Sequence, residues 1–277
     1  MFRLLSLLFT ALMIAYAYFW VDSKHPELTN ELFTATTNVR GDLQTLEVKF
    51  SVEQILKAHK RELMRDRRNE YLGAALKFYP YVLMEVKYLT ASKRTKEALL
   101  LWDLTDGEIV INTKNWEKTH GLGDAITASA NREDFQVLQT IHLRGGAADR
   151  ETIARTLNLS KEIAEHMLES ASKKHLVVVK SGKYKIHLDR PLLPLNPETR
   201  FTESLVTKPY RGALRTAPKF SNERLQKVAK ELFGSDLVIR GAREIYLPVH
   251  AIAIQNPDGS LQTTHWNGLT GKKIAGN

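Results

Sequence analysis

The side chains that most often carry out catalysis are present in this sequence, but they do not fall into a catalytic pattern. The nine histidines are scattered, and none has the His-Glu-x-x-His spacing that places two imidazoles on one helix face for zinc. No Gly-x-Ser-x-Gly turn is present, and there is no cysteine. Thr270-Gly271-Lys272 lacks the upstream glycine of a phosphate-binding loop. The sequence therefore predicts a protein that is not an enzyme and has no metal or cofactor.

A repeated unit organises the two ends of the chain. The segment 246–272 repeats the order of aromatic, proline, Asx and glycine residues found in the segment 79–108. Upstream of each copy, Phe50-Ser51 matches Phe220-Ser221. Each serine can accept a free backbone N–H at the start of a helix, and the preceding phenylalanine can pack on that helix as a hydrophobic staple. Each copy is therefore predicted to form a helix, a strand, a hairpin and a second strand that ends in a turn.

The second copy ends in Asn267-Gly268-Leu269-Thr270-Gly271-Lys272. In this it resembles short helix-plus-hairpin modules of membrane-associated bacterial proteins that end in Asn-Gly-x-Thr-Gly-Lys. More loosely, it is similar to the PepSY module. The first copy departs from the motif, because Leu104-Thr105-Asp106-Gly107 stands in its place. The resemblance implies a binding or scaffolding role.

A different pattern fills residues 133–190. Apolar residues at helical spacing predict three helices, and Leu176–Lys180 and Lys183–Leu188 predict two strands joined by a Ser-Gly turn. This order resembles a winged helix-turn-helix domain, and Thr152–Ser160 fits the central turn of that family. The resemblance implies that the third helix contacts DNA in the major groove.

The outward positions of that third helix carry carboxylates, which would repel phosphate. We therefore assign this face to a protein partner rather than to DNA. The predicted partner-contact residues are Lys161, Glu162, Glu165, His166 and Glu169. The hairpin of residues 176–188, which is the wing in this family, and the linker could still contact nucleic acid or another anionic surface. The residues predicted for that contact are Lys180, Lys183, Lys185, Lys208, Arg211 and Arg215.

The amino terminus and the charge balance point to a membrane and to an acidic partner. Residues 4–21 carry no charge and are long enough to cross a bilayer as a helix, with aromatic residues at the far end. A cleaved secretory signal ending at Ala15-Tyr16-Ala17 is the alternative. The flanking charges favour a cytoplasmic amino terminus and an exported body. The formal net charge of +9 suits an anionic partner.

Together these patterns predict an α+β protein with an N-terminal transmembrane helix, two α-β-β repeat modules and a central winged-helix insert. The predicted boundaries are 1–22 for the transmembrane anchor or signal, 23–49 for a connector, 50–114 for repeat module A, 133–190 for the winged helix, 191–219 for a basic, proline-containing linker and 220–277 for repeat module B. The expected function is that of a membrane-anchored, non-enzymatic interaction or assembly protein in an envelope complex. The alternative is a membrane-tethered DNA-binding regulator.

Overall fold

The computed structural model describes residues 42–66, 68–90, 92–209 and 214–274. Within these ranges the strands are β1 (Asp42–Leu46), β2 (Glu70–Leu89), β3 (Thr95–Asp103), β4 (Ile109–Asn112), β5 (Glu117–Lys118), β6 (Ala147–Ala148), β7 (Val177–Lys180), β8 (Lys183–Ile186), β9 (Leu205–Pro209), β10 (Leu214–Arg215), β11 (Val238–Gln255) and β12 (Leu261–Asn267). The helices are α1 (Val52–Ala58), α2 (Lys60–Leu63), α3 (Leu122–Thr127), α4 (Arg132–Leu143), α5 (Arg150–Leu157), α6 (Lys161–Lys173) and α7 (Asn222–Phe233).

Two long strands, β2 and β11, form the centre of a mixed sheet of nine described strands. They run antiparallel along nearly their whole length, and Tyr81 of β2 lies opposite Ile245 of β11. The strand order is β5-β4-β3-β2-β11-β1-β9, with β10 added beside β2 and β12 beside β11. β3 pairs with the second half of β2, and β12 pairs with the second half of β11. The two copies of the repeated unit therefore contribute equivalent hairpins to one sheet.

The helices of the two copies are exchanged across this sheet. Ile55 and Leu63, from the helices of the first copy, are buried in a cluster with Ile252, Ile254 and Trp266 of the second copy. Conversely, α7 of the second copy is buried in the core cluster that contains strand residues of the first copy, Val82, Met84 and Trp102. Each hairpin therefore depends on the other copy for the helix that covers its apolar face.

Backbone hydrogen bonds fix the exchange at equivalent points. The amides of Lys49 and Phe50 donate to the carbonyl oxygen of Gly268, at 2.8 and 2.9 Å. The amides of Lys219 and Phe220 donate in the same way to the carbonyl oxygen of Leu104, at 2.8 and 2.9 Å. Each chain segment that leads into a helix is thus bound to the turn that ends the other copy. The repetition in the sequence corresponds to a pseudo-twofold arrangement in the structure.

The turn glycines Gly107 and Gly271 are expected to tolerate no side chain. Both have a positive φ, of 80° and 65°. A Cβ at Gly107 would lie 2.9 Å from the Phe220 ring, and one at Gly271 would lie 2.8 Å from the Phe50 ring. Gly107→Ala and Gly271→Ala should each lower the free energy of unfolding in urea by about 2–4 kcal/mol, from strain and overpacking together. Gly259→Ala is the control, because its φ is 83° but nothing lies within 4 Å; an equal loss there would contradict the ring contact.

The insert between the copies contains α4, α5, α6 and a small antiparallel sheet of order β6-β8-β7. The elements follow one another as helix, strand, helix, helix and hairpin. The sequence predicted the three helices and the hairpin but not β6, and membership of the winged-helix family stays a prediction. The insert packs firmly on the second copy. The Arg132 amide donates to the Glu231 carboxylate at 3.1 Å, and the Gln139 amide group donates to the Leu232 carbonyl oxygen at 3.4 Å. Core residues of insert and sheet belong to one continuous cluster.

The predicted fold class is wrong in how the chain is organised. Instead of an α+β chain of two self-contained α-β-β modules, the structure has a mixed α/β arrangement in which both copies share one large sheet. The physical reason is that hydrophobic periodicity identifies a helix or strand and its apolar side. Hydrophobic periodicity does not show which other element of the chain covers that apolar side.

The membrane prediction is also corrected. No helix among the described residues is long and apolar enough to cross a membrane. The predicted anchor, residues 1–22, lies outside the described residues. That prediction used an apolar run of sufficient length, which a spanning helix requires but which does not by itself establish one. The described residues therefore do not support the predicted single-pass localisation.

Candidate functional site

The five predicted partner-contact residues lie together on the exposed side of α6. Ser160 caps this helix by accepting the Ile163 amide, and Ala164, Met167, Leu168 and Ala171 bury its opposite side. Lys161, Glu162, Glu165, His166 and Glu169 are all exposed. We call this surface, together with the exposed Ile163, the α6 face.

The basic groups next to the α6 face are already paired with carboxylates. Lys161 Nζ lies 2.8 Å from Glu151 Oε1, and Arg150 Nη1 lies 2.8 Å from Glu165 Oε1. The hydrogen bond from Lys161 holds the pKa of Glu151 below its ordinary value. Among the described residues, neither Glu162 nor Glu169 forms a salt bridge. The α6 face thus presents unpaired carboxylates but no unpaired cation.

Apolar side chains stand beside these charges. Ile163 on α6 is 52% exposed, and Val179 on the hairpin β7–β8 is 61% exposed. Both lie within an insert whose core is otherwise well buried. A mixture of apolar and acidic groups is therefore accessible on this side of the molecule.

The six residues predicted to contact an anionic surface do not form one patch. Lys180, Lys183 and Lys185 are exposed on the small hairpin β7–β8. Lys208 pairs with β1 at the edge of the large sheet, and Arg211 lies outside the described residues. Arg215 lies in β10 and donates a hydrogen bond to the Tyr246 hydroxyl at 3.3 Å. The basic wing is thus a separate surface from the linker residues.

The structure contains a second candidate site that the sequence did not reveal, a cavity between the two copies. It has two lobes of about 370 and 480 Å³. The lobes share four lining residues, Asp106, Trp116, Lys118 and Ile274. The first copy contributes Tyr79 and Tyr81, and the second copy contributes His265 and Asn267. We call this space the inter-repeat cavity.

A partly buried lysine holds two aspartates in the cavity wall. Lys118 Nζ lies 2.7 Å from Asp103 Oδ2 and also forms an ion pair with Asp106. The Asp103 side chain is 3% exposed and that of Lys118 is 18% exposed. The ammonium lies 5.8 Å from the centre of the Tyr81 ring. These three charges therefore form one cluster, which is largely screened from water.

The two carboxylates of this cluster have opposite pKa shifts. Burial, followed by repulsion from the neighbouring Asp103 charge, raises the pKa of Asp106 to about 6, although attraction to Lys118 acts in the opposite direction. Burial also acts to raise the pKa of Asp103, but attraction to Lys118 and its hydrogen bonds outweigh burial and hold that pKa below its usual value. Pairs of groups with diverging pKa values are common at functional sites, although structural ion networks also produce them.

The second copy builds the same turn without these charges. Asn267 and Thr270 stand where the first copy has Asp103 and Asp106. Asn267 Oδ1 accepts the Leu269 amide at 2.8 Å, as Asp103 Oδ1 accepts the Thr105 amide at 2.7 Å. The turn geometry therefore requires a side-chain acceptor but no carboxylate. The turn thus accounts for a side-chain acceptor at Asp103 but not for its negative charge.

Two residues that line the cavity each contain a buried polar atom with no hydrogen-bond partner among the described residues. The atoms are His265 Nε2 and Asn267 Nδ2, both buried. Burial, with a smaller contribution from Lys77, lowers the pKa of His265, so its imidazole is neutral at pH 7. Buried polar atoms without partners are rare in folded proteins, and each needs an explanation.

Trp116 supplies the aromatic side of the cavity from a strained backbone position. Its φ is +56°, in the left-handed region that large side chains avoid. Its ring packs edge-on against Tyr81, with 5.5 Å between the ring centres. Strain of this kind persists where the surrounding structure holds a residue in place, and such positions concentrate at functional sites.

One signal in the sequence could have located the cavity. The two copies match at the tryptophan and glycine of the turn but differ at the acidic positions, Asp103 and Asp106. The position of Lys118 against these acids follows from the pairing of β4 with β5, which the sequence did not predict. No family model matches this chain, and no curated protein or solved structure matches it either.

Proposed function

We propose that the chain is a non-enzymatic interaction protein that binds a protein partner through the α6 face. The observation that carries this proposal is the pairing of Lys161 with Glu151 and of Arg150 with Glu165. These pairs leave carboxylates, His166 and the exposed Ile163 as the accessible groups of the α6 face. Apolar residues surrounded by charge are typical of protein-binding surfaces. Phosphate contact instead requires available cations.

A DNA-binding regulator is the second candidate. It is favoured by the three exposed lysines of the wing, Lys180, Lys183 and Lys185. None of them forms a salt bridge with a described residue. A helix placed in the major groove would, however, bring Glu162 and Glu169 towards the phosphates. Desolvation of these carboxylates opposes that binding mode.

A photo-crosslinking amino acid at position 163 tests the proposed surface. Val238, at the start of β11, is the matched control because it is also an aliphatic residue and is 52% exposed, as Ile163 is. In cells that produce the protein, position 163 is expected to give a discrete protein adduct that an excess of the unlabelled chain competes away. Position 238 is expected to give none. Equal adduct patterns at both positions would contradict the assignment.

Titration with mixed-sequence duplex DNA separates the two candidates. We expect no retained complex at about 0.15 M salt, since the helix that would enter the groove presents Glu162 and Glu169 and no unpaired cation. Glu162→Gln combined with Glu169→Gln should not create one. A complex whose affinity falls steeply with salt, and which is lost when Lys180, Lys183 and Lys185 are changed to Gln, would establish the second candidate instead.

A further inference from the structure

We propose that the partner of the α6 face presents a basic segment with an apolar side chain, and that a groove beside α6 receives this side chain. The inference rests on the proposed function, because it describes the partner of the same surface. Three observations support it: the lining of the groove, the ion pair that joins the groove to the α6 face, and the excess of carboxylates around both.

The groove has a volume of about 350 Å³ and lies between the first turn of α5 and the hairpin β7–β8. We call it the wing groove. Its apolar wall is formed by Val179, which is 61% exposed, and by the half-buried Tyr184. These two residues pair across the hairpin, so their side chains lie on the same side of it. An apolar side chain of a partner can therefore contact both residues at once.

The basic residues of the same hairpin lie on its opposite side. Lys180 pairs with Lys183, and Lys185 pairs with Val178. Side chains alternate along a strand, so these lysines point away from the apolar wall of the groove. None of the three lysines lines the wing groove. Contact of the lysines with DNA would therefore use a different side of the hairpin.

An ion pair joins the wing groove to the α6 face. Arg150 lines the groove, and its Nη1 lies 2.8 Å from Glu165 Oε1 on α6. Glu162, Glu165 and Glu169 are three and four residues apart, which places their carboxylates in a row along one side of the helix. The groove and this row therefore form one continuous surface, and a single segment of a partner can contact both.

This combined surface carries more carboxylates than cations. Its acids are Asp149, Glu151, Glu162, Glu165 and Glu169, and its bases are Arg150 and Lys161. Five negative charges thus stand against two positive ones, in a chain whose formal net charge is +9. Both cations are already paired with carboxylates of the surface. Lysine or arginine side chains beside the partner's apolar residue would match this excess, whereas an acidic segment would be repelled.

Fluorescence anisotropy of two labelled peptides with the intact chain tests the inference. The peptides are Lys-Leu-Lys-Trp-Lys-Leu-Lys and its acidic counterpart Glu-Leu-Glu-Trp-Glu-Leu-Glu, which have the same length and apolar residues. At about 0.15 M salt the basic peptide is expected to bind with a Kd of about 100 μM or tighter, and the acidic peptide at least about tenfold more weakly. Attraction to the basic chain as a whole would favour the acidic peptide instead.

Charge reversal locates the basic peptide on the molecule. Glu162→Lys combined with Glu169→Lys should weaken its binding by about tenfold or more, because the two changes replace attraction by repulsion. Glu47→Lys combined with Glu70→Lys is the matched control. Both control residues are exposed, and the change in net charge is the same. The control should leave the Kd within about twofold of the wild-type value.

Val179→Ser tests the wing groove and should weaken binding of the basic peptide by about fivefold, because an apolar contact is lost. Val238→Ser is its control, at a residue that is 52% exposed, and should have no effect. The inference is wrong if the acidic peptide binds as tightly as the basic one, or if a variant and its control weaken binding equally. Either result, together with a protein adduct at position 163, would leave the proposed function standing and overturn only the basic character of the partner.

Discussion

A fragment that contains residues 42–130 is expected to be unfolded on its own and to fold when mixed with a fragment that contains residues 131–277. The first fragment includes the hairpin β2–β3 but lacks α7, which belongs to the core cluster that buries Val82, Met84 and Trp102. It also includes α1, whose Ile55 packs against residues of the absent second copy. Loss of both interfaces should remove the whole stability of a domain, about 5–15 kcal/mol.

Near-ultraviolet circular dichroism measures this reconstitution, because Trp102 and Trp266 become rigid only in the packed state. The mixed fragments should regain the spectrum of the intact chain and elute as a one-to-one complex. Phe220→Ala in the second fragment should weaken reassociation, since its ring is 2% exposed and contacts the turn of the first copy. A cooperative thermal transition of residues 42–130 alone would show that the first copy covers its own sheet.

This exchange marks the limit of what the sequence could predict. Local signals succeeded: the side chains of Ser51 and Ser221 accept backbone amides at the starts of α1 and α7, as their positions predict. The repeated Trp-Asx…Gly segment likewise forms equivalent turns, in which the amides of Gly107 and Gly271 donate to the carbonyl oxygens of Asp103 and Asn267. These features depend on neighbouring residues alone. Which of the two hairpins each helix covers depends on contacts between residues about 170 positions apart. Local sequence patterns do not predict such contacts.

The inter-repeat cavity was missed for a related reason. Asp103 and Asp106 were interpreted as turn residues, which is one of their roles, since Asp103 Oδ1 accepts the Thr105 amide. Their partner Lys118 lies in the two-residue strand β5, which is too short to show a periodic pattern. The unpartnered atoms of His265 and Asn267 come from the other copy. A site assembled from three separated segments becomes visible only when the sheet register is known.

Lys118→Met is expected to be among the most destabilising single substitutions in the chain. It would leave Asp103, which is 3% exposed, without its counter-ion next to a second carboxylate. Removing one partner of a buried pair typically lowers the free energy of unfolding by about 3–5 kcal/mol. Lys161→Met is the control, because it removes an exposed pair with Glu151 and should cost less than about 1 kcal/mol. Urea denaturation at about pH 7 measures both.

The pH dependence of this effect follows from the pKa shifts. The folded-state pKa of Asp106 is raised from 3.8 to about 6, so the stability linked to its protonated form is complete below about pH 4 and is lost as the pH rises through about 6. In Lys118→Met the pKa of Asp103 is no longer held down, and both carboxylates then favour the protonated state. The loss of stability should therefore be smaller at about pH 5 than at about pH 7. A loss that does not change with pH would instead indicate a packing defect.

The second copy supplies the substitution that should rescue this variant. Asp103→Asn and Asp106→Thr reproduce the residues of the neutral turn at Asn267 and Thr270. There Asn267 Oδ1 accepts the Leu269 amide and Thr270 Oγ1 accepts the Lys272 amide, without charge. Adding both changes to Lys118→Met removes all three charges together. Replacing a complete buried ion cluster by uncharged groups is often neutral or stabilising. The triple variant should therefore regain most of the free energy of unfolding, about 3–5 kcal/mol, that Lys118→Met loses. If the triple variant is less stable than Lys118→Met alone, the charges support the fold itself. If its stability recovers, the fold does not need these charges.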